Sequence, residues 1–231
     1  MPTKIDAHPS VIIAYCPPLD KLLFSVYDDG YPKPAYRGSA NNIGGNPEAT
    51  DTGPESLLIR EIAEEFDPNH PDKKQYVGEV QWADAADIRR IRGGLLGDIR
   101  PAQDFFVRQD EIIEGGNKPY TCLYSVFHAV LPREVIEIAE RNIAEGKHLM
   151  TEGNAGVFTL EQLTNSPRGE FSTAHATPHS LNHVFENANI PHPKQITAEP
   201  IGLPKRTYAD YVAAGFEYST EKLRSASEAK D

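Results

Sequence analysis

The chain has little with which to build a disulfide framework, hold nucleic acid or cross a membrane. Cys16 and Cys122 are its two cysteines, and both fall in runs that read as strands. Two scattered cysteines make no disulfide framework, so both are expected reduced and buried, in a cytoplasmic protein. Positive charge is in deficit: Lys and Arg number 23 against 34 Asp and Glu, a formal charge of −11. No basic patch stands out, which argues against unassisted binding to nucleic acid or to an anionic membrane. An acidic protein acting on a phosphate ester needs cations to offset the repulsion. No apolar stretch approaches the roughly 20 residues of a spanning helix. The opening MPTKIDAHPS has no apolar run behind its lysine and does not read as a signal peptide. Internal repeats are absent as well.

What is present fits a folded chain of 231 residues, enough for one large domain or one domain with appendages. Ser10–Cys16 and Lys21–Tyr27 are β-branched or aromatic runs around Pro-Pro-Leu-Asp and read as a hairpin. Residues 28–46 read as a loop with one short strand. Pro54 is placed to start a helix running to about Phe66. Gln75–Val80 reads as a strand. Residues 84–106 are helical in their first half and then broken by Gly93-Gly94, Gly97 and Pro101. Tyr120–Leu131 is the strongest strand and Pro132–Met150 the strongest helix, with Val135, Ile138, Ala139 and Ile143 as its stripe. Val157-Phe158 is a short strand leading into a helical turn at Leu160–Leu163. Thr177-Pro178 reads as the start of a helix reaching Asn187. Past Ile190 four prolines mark an extended segment, and a last helix is expected over Tyr208–Arg224. The chain thus divides into residues 1–190 and an extension, 191–231.

Gly44–Phe66, GGNPEATDTGPESLLIREIAEEF, is where chemistry concentrates. On a helical wheel Leu58, Ile59, Ile62, Ala63 and Phe66 share one arc, and Glu61, Glu64 and Glu65 an adjacent one. One face can pack on a sheet while the other presents converging carboxylates. Like charges at these spacings repel unless a cation sits among them. An all-oxygen set selects a hard ion, magnesium or manganese, over zinc. The paired glycines let a backbone carbonyl turn toward the same ion. Arg60 falls away from the acidic arc, with a rigid fork able to orient a glutamate or a loop carbonyl. Taken alone, three glutamates on a helix also describe a merely solvated face.

The ordered combination, a glycine pair, a Pro-Glu helix start and then R-E-I-A-E-E-F, resembles the Nudix box. That pattern is G, five residues, E, seven residues, R-E-U-x-E-E-x-G-U, with U aliphatic. Arg60–Glu65 matches R-E-U-x-E-E at every specified position. Between Gly45 and Arg60 the loop is one residue longer than the pattern. Counted back from Arg60, the pattern's glutamate falls on Thr52, with Asp51 and Glu48 as stand-ins, and its late glycine falls on Asp67. The resemblance covers about residues 8–190 and implies an α/β/α sandwich with a mixed sheet, here with a C-terminal extension.

The resemblance further implies magnesium- or manganese-dependent hydrolysis of a nucleoside diphosphate derivative, a nucleotide sugar among the candidates. Glu61, Glu64 and Glu65 would be metal ligands with the Gly45 carbonyl, and Arg60 would orient them. The general base would be Glu61, or Glu152 in the turn before Val157. Arg37, shortly before the glycine pair, is a candidate phosphate contact. The alternative is a weak or inactive Nudix-like domain that binds a nucleotide or a protein partner. His175, His179 and His183 read as surface or substrate-contacting residues, and Trp82 and Tyr36 as core residues or base-stacking ones. Glu111 and Glu114 read as loop acids. The apolar, proline-rich tail could dock on a second subunit and make a homodimer.

Overall fold

Alternation along the central strands decides the architecture. The computed structural model describes residues 2–67, 69, 80–151, 153–165, 173–186 and 188–228. In chain order the elements are β1 Thr3–Ile5, β2 Ser10–Cys16, β3 Lys21–Val26, β4 Ala40–Asn41 and β5 Ile43–Gly45. They continue with α1 Pro54–Glu65, α2 Ala85–Leu96, β6 Arg100–Gln109, β7 Tyr120–Val130, α3 Arg133–Ala144 and β8 Asn154–Phe158. The last are α4 Leu160–Thr164, α5 Thr177–Val184, β9 Ile196–Gly202, α6 Tyr208–Ala213, β10 Phe216–Tyr218 and α7 Glu221–Glu228.

Eight strands form one mixed sheet in the order β4-β3-β2-β7-β6-β9, with β5 also paired to β2 and β8 to β3. Only the central pair, β2 with β7, is parallel among these strands, running from Ser10↔Ser125 to Tyr15↔Val130. Side chains of successive strand residues face opposite ways. Ile12, Ala14 and Cys16 therefore enter one core with Phe127 and Ala129, beneath Leu58 and Ile62 of α1, Ile91 of α2 and Val135 of α3. Val11 and Ile13 enter the other, with Tyr124 and Val126, beneath Leu163 of α4 and Leu181 of α5. Each fully buried Leu or Ile contributes about 1.5–3 kcal/mol. The result is the expected α/β/α sandwich. No helix among the described residues is long and apolar enough to cross a membrane.

A third cluster joins the ends of the chain. β1 pairs in parallel with β10, and Ile5, Leu57, Leu123, Tyr208, Tyr211, Tyr218 and Leu223 pack together. Beside them lies a buried polar chain. Ser125 Oγ donates to Asp104 Oδ1 at 2.7 Å and Tyr211 donates to Asp104 Oδ2 at 2.6 Å. With its one proton so used, Ser125 accepts from His8 Nε2 at 2.9 Å, and Tyr218 donates to His8 Nδ1 at 2.8 Å. Burial lowers His8 to about 3, so it stays neutral. Burial raises Asp104 to about 6 against the hydrogen bonds from Ser125 and Tyr211. The two act oppositely on stability. Asp104 contributes most below its ordinary value of 3.8 and loses that contribution as pH rises through 6. His8 contributes above 6.5 and loses its contribution as pH falls toward 3.

Several local expectations need correction. Helix α2 runs through Gly93-Gly94 to Leu96. At Gly94 the reason is packing, since a Cβ there would stand 2.8 Å from Val135 Cγ2 on α3. Pro101 lies within β6, at a register shift against β7. Residues 28–46 hold two short strands, β4 and β5. Helix α3 stops at Ala144, ahead of Gly146 at φ 69°. Helix α5 ends at Val184. The expected last helix is two, α6 and α7, separated by Gly215 at φ 96° and by β10. The strand expected over Gln75–Val80 lies outside the described residues apart from Val80, which is in no strand. The chain beyond Ile190 supplies β9 to the edge of the main sheet, against β6.

Candidate active site

Two glycines at the end of β5 set the geometry. Gly44 has φ 139°, and a Cβ there would lie 2.1 Å from the Ser10 carbonyl oxygen on β2. At Gly45 a Cβ would lie 2.4 Å from Glu61 Cδ and 2.5 Å from each carboxylate oxygen. The strand end and the Glu61 carboxylate are thus in direct contact, and any side chain at Gly45 would displace the glutamate. Helix α1 starts where it does because Ser56 Oγ accepts from the Gly53 and Thr52 amides, each at 3.0 Å, satisfying two amides at the helix start.

Arg60 organises the acids around it. Its Nε and Nη2 donate to Asp51 Oδ1 and Oδ2 at 3.1 and 2.9 Å, a two-point grip that suits the planar fork. Nη2 also reaches the Asn46 carbonyl at 3.1 Å. Nη1 lies 2.9 Å from Glu64 Oε2 and 3.0 Å from Glu61 Oε1. The wheel had turned Arg60 away from the acidic arc. Its long side chain instead folds back over the arc, because Asp51 on the loop draws it there. Burial alone would lower the guanidinium; the Asp51 hydrogen bond and the charges of Glu61, Asp51 and Glu64 carry it above its ordinary value. Glu65 is buried, and its carbonyl accepts from the Thr151 amide at 2.9 Å, tying the approach to β8 to the last turn of α1.

Asp51 is 3 % exposed, and its Oδ2 also accepts from the Glu48 amide at 2.7 Å. Thr52 is exposed and makes no contact with Arg60 among these bonds. Counted forward from Gly45 with five residues between, the pattern's glutamate falls on Asp51. The extra residue of the loop therefore lies between Asp51 and Arg60. Asp51, one of the two stand-ins, is thus the one that Arg60 binds.

A cavity of about 650 Å³ opens beside this strand end, lined in part by Gly44, Gly45 and Asn46. Tyr27 and Tyr31 on its wall stack with ring centroids 3.8 Å apart and 9° between planes. Lys33, Lys118, Asn41 and His175 add polar groups to the lining. Burial lowers the Lys33 ammonium below its ordinary value. Burial, with Lys33 nearby, lowers His175 to about 3, leaving a neutral ring. Asn117 Nδ2 stands 3.0 Å from His175 Nδ1; an amide donor there leaves the ring proton on Nε2. The Cys122 thiol, also on the lining, is pushed up by burial, which disfavours the thiolate.

The site residues read from the sequence are thus only partly brought together. Gly45, Arg60, Glu61 and Glu64 adjoin, and Glu65 follows on the same helix. Arg37 is exposed and lies off the cavity, donating from Nε to the Tyr31 carbonyl at 2.8 Å. Glu152 lies outside the described residues. Tyr36 is fully buried in the core, and Trp82 stacks edge-on with His148. His179 turns to the Ile196 carbonyl of β9 at 3.1 Å, away from the cavity. Lys33, Tyr31 and His175 were not singled out as a group, since they meet only through folding. Among the described residues no group of three or more His, Cys, Asp or Glu is arranged to hold a metal ion. Glu61 and Glu64 both face Arg60.

No protein-family model matches the chain, and no curated protein sequence does either. In structure the chain is similar to a bifunctional NMN adenylyltransferase/ADP ribose pyrophosphatase from Francisella tularensis. The likeness has 11% identity and a TM-score of 0.42, and covers 81% of this chain and 43% of that one. The chain thus spans less than half the length of that protein. It is also similar to RenU, a Nudix hydrolase from M. smegmatis, at 14% identity and a TM-score of 0.37, over 80% of this chain and 89% of that one.

Proposed function

We propose that the chain is a magnesium-dependent pyrophosphohydrolase of the Nudix kind, acting on a nucleoside diphosphate derivative such as a nucleotide sugar. One observation supports this above others. The strand end that touches the Glu61 carboxylate is also part of the wall of the 650 Å³ cavity. A ligand in that cavity would reach Gly45, the residue that adjoins the Glu61 carboxylate. The paired tyrosine rings offer a flat aromatic surface suited to a base. Lys33 and Lys118 offer positive charge to phosphate oxygens.

The donor set fits a hard cation in kind: Glu61, Glu64, Glu65 and the Gly45 carbonyl are all oxygen. Such an ion would offset the diphosphate charge and lower the pKa of a water. The chain's own residues do the rest. Asp51 holds Arg60, and Arg60 holds Glu61 and Glu64 in one place, so the acids are set before a ligand arrives. The proton of the attacking water would pass to a carboxylate oxygen of Glu61 or of Glu152.

Calorimetric titration with magnesium, alongside turnover of a panel of nucleoside diphosphate derivatives, tests the reading. The wild type should bind and turn over at least one compound, and Glu64→Gln should lower turnover about 100-fold or more. Glu65→Gln should weaken the magnesium isotherm. Binding of magnesium and nucleotide without turnover by the wild type would favour a binding domain instead. Absence of any magnesium-dependent event would overturn both.

A further inference from the structure

The box loop is fastened by a part of the chain far from it in sequence. The Tyr208 amide donates to the Thr52 carbonyl at 3.1 Å. At Gly53 a Cβ would lie 2.0 Å from the Arg206 carbonyl oxygen and 3.1 Å from Thr207 Cα. Gly53 has φ −170°, ordinary extended backbone, so glycine is needed there for the close approach alone. The fastening segment is itself anchored. Thr207 Oγ1 accepts from the Asp210 amide at 3.2 Å and caps α6, and Tyr208 is fully buried with Leu57 of α1. Tyr211 on α6 accepts from the Lys205 amide at 2.8 Å and donates to Asp104. Thr52 and Gly53 directly follow Asp51, the residue that grips Arg60.

We propose that residues 206–208 are a positioning element for the active site. They hold the loop so that Asp51 presents both oxygens to Arg60, and Arg60 in turn fixes Glu61 and Glu64. Neither Arg206 nor Tyr208 lines the cavity, and the buried Tyr208 hydroxyl also feels the charges of Asp51 and Arg60. The proposal rests on the hydrolase reading for its consequence in catalysis, but the contact chain stands without it. It also gives the longer loop a purpose: the added residue lies in the stretch that meets the C-terminal arm.

Gly53→Ala tests this by wedging a methyl group between the loop and the Arg206 carbonyl. Gly93→Ala is the control, since a Cβ there meets nothing within 4 Å. The first readout is the Arg60 Nε–H signal by NMR, which in the wild type should exchange slowly because it is bonded to Asp51. In Gly53→Ala it should be lost or exchange fast, while in Gly93→Ala it persists. The second readout is magnesium affinity, expected about tenfold weaker in Gly53→Ala, the usual scale for an outer partner of a metal ligand. Should Gly53→Ala fail to fold, Thr207→Ala loosens the same segment from an accessible position. It should shift both readouts in the same direction by a smaller amount. An unchanged Arg60 signal and unchanged affinity in a folded variant would overturn the proposal. A wild type that binds no magnesium would sink the hydrolase reading while leaving the Arg60 signal to judge the positioning element.

Discussion

Replacing Asp51 by alanine removes the carboxylate that grips Arg60, and the size of the loss follows from the contacts. Three hydrogen bonds go: two from Arg60 at 3.1 and 2.9 Å and one from the Glu48 amide at 2.7 Å. The side chains are 4% and 18% exposed, so solvent recovers little of the interaction. Removing one partner of a buried pair typically costs about 3–5 kcal/mol. Arg60 keeps Glu61, Glu64 and the Asn46 carbonyl, which places the loss at the low end, about 3 kcal/mol. In urea that moves the midpoint by about 1–1.5 M for a slope of roughly 2–3 kcal/mol/M. In calorimetry it lowers Tm by about 6–12 °C. Thr52→Ala, an exposed change, should stay within about 0.5 kcal/mol. Equal losses for the two variants, or a loss below about 1 kcal/mol for Asp51→Ala, would refute the assignment of Asp51 as the partner of Arg60.

Between pH 4 and 6 the opposed contributions of Asp104 and His8, each about 1.4 kcal/mol per pH unit, should nearly cancel. Asp104→Asn removes one of them, so its stability should fall on acidification through that window whatever its offset at pH 7; denaturant midpoints with the wild-type pH slope would contradict the network. At the contact of α2 with α3, Gly94→Ala should cost about 1–3 kcal/mol, because its methyl group meets Val135 at 2.8 Å. Adding Val135→Ala should recover most of that cost, and additive thermal shifts in the double variant would count against the packing argument.

Long, strongly patterned segments were legible before folding was considered. Tyr120–Val130 and the start of α1 at Pro54 follow from side-chain shape and capping, which act within a few residues. Gly93-Gly94 misled because its reason lies on another helix: glycine there buys closeness to Val135. The aromatic alternation Phe216-Glu217-Tyr218 was absorbed into a helix because its partner, β1, is at the opposite end of the chain. In the site, Arg60 to Glu65 could be read from spacing alone. The cavity could not: Tyr27 and Lys33 come from the connection after β3, Asn117 from the one after β6 and His175 from the one before α5, and no local pattern joins the three. The two-point grip of Asp51 on Arg60 depended on a loop one residue longer than the pattern, so a fixed count pointed to its neighbour.

The pairing of β1 with β10 sets a timetable for the molecule. Thr3 and Phe216 are partners across 213 positions, so this clasp can close only after every strand of the main sheet has been made. The acids of α1 leave the ribosome well before the arm that fastens their loop, since Tyr208 follows Glu61 by 147 positions. At about 5–20 residues per second that interval is roughly 7–30 s. The sheet can assemble during it, because its strands up to β8 precede the arm. Fastening of the loop therefore has to wait for residues 206–208, and a synthesis stalled before residue 206 would lack that contact.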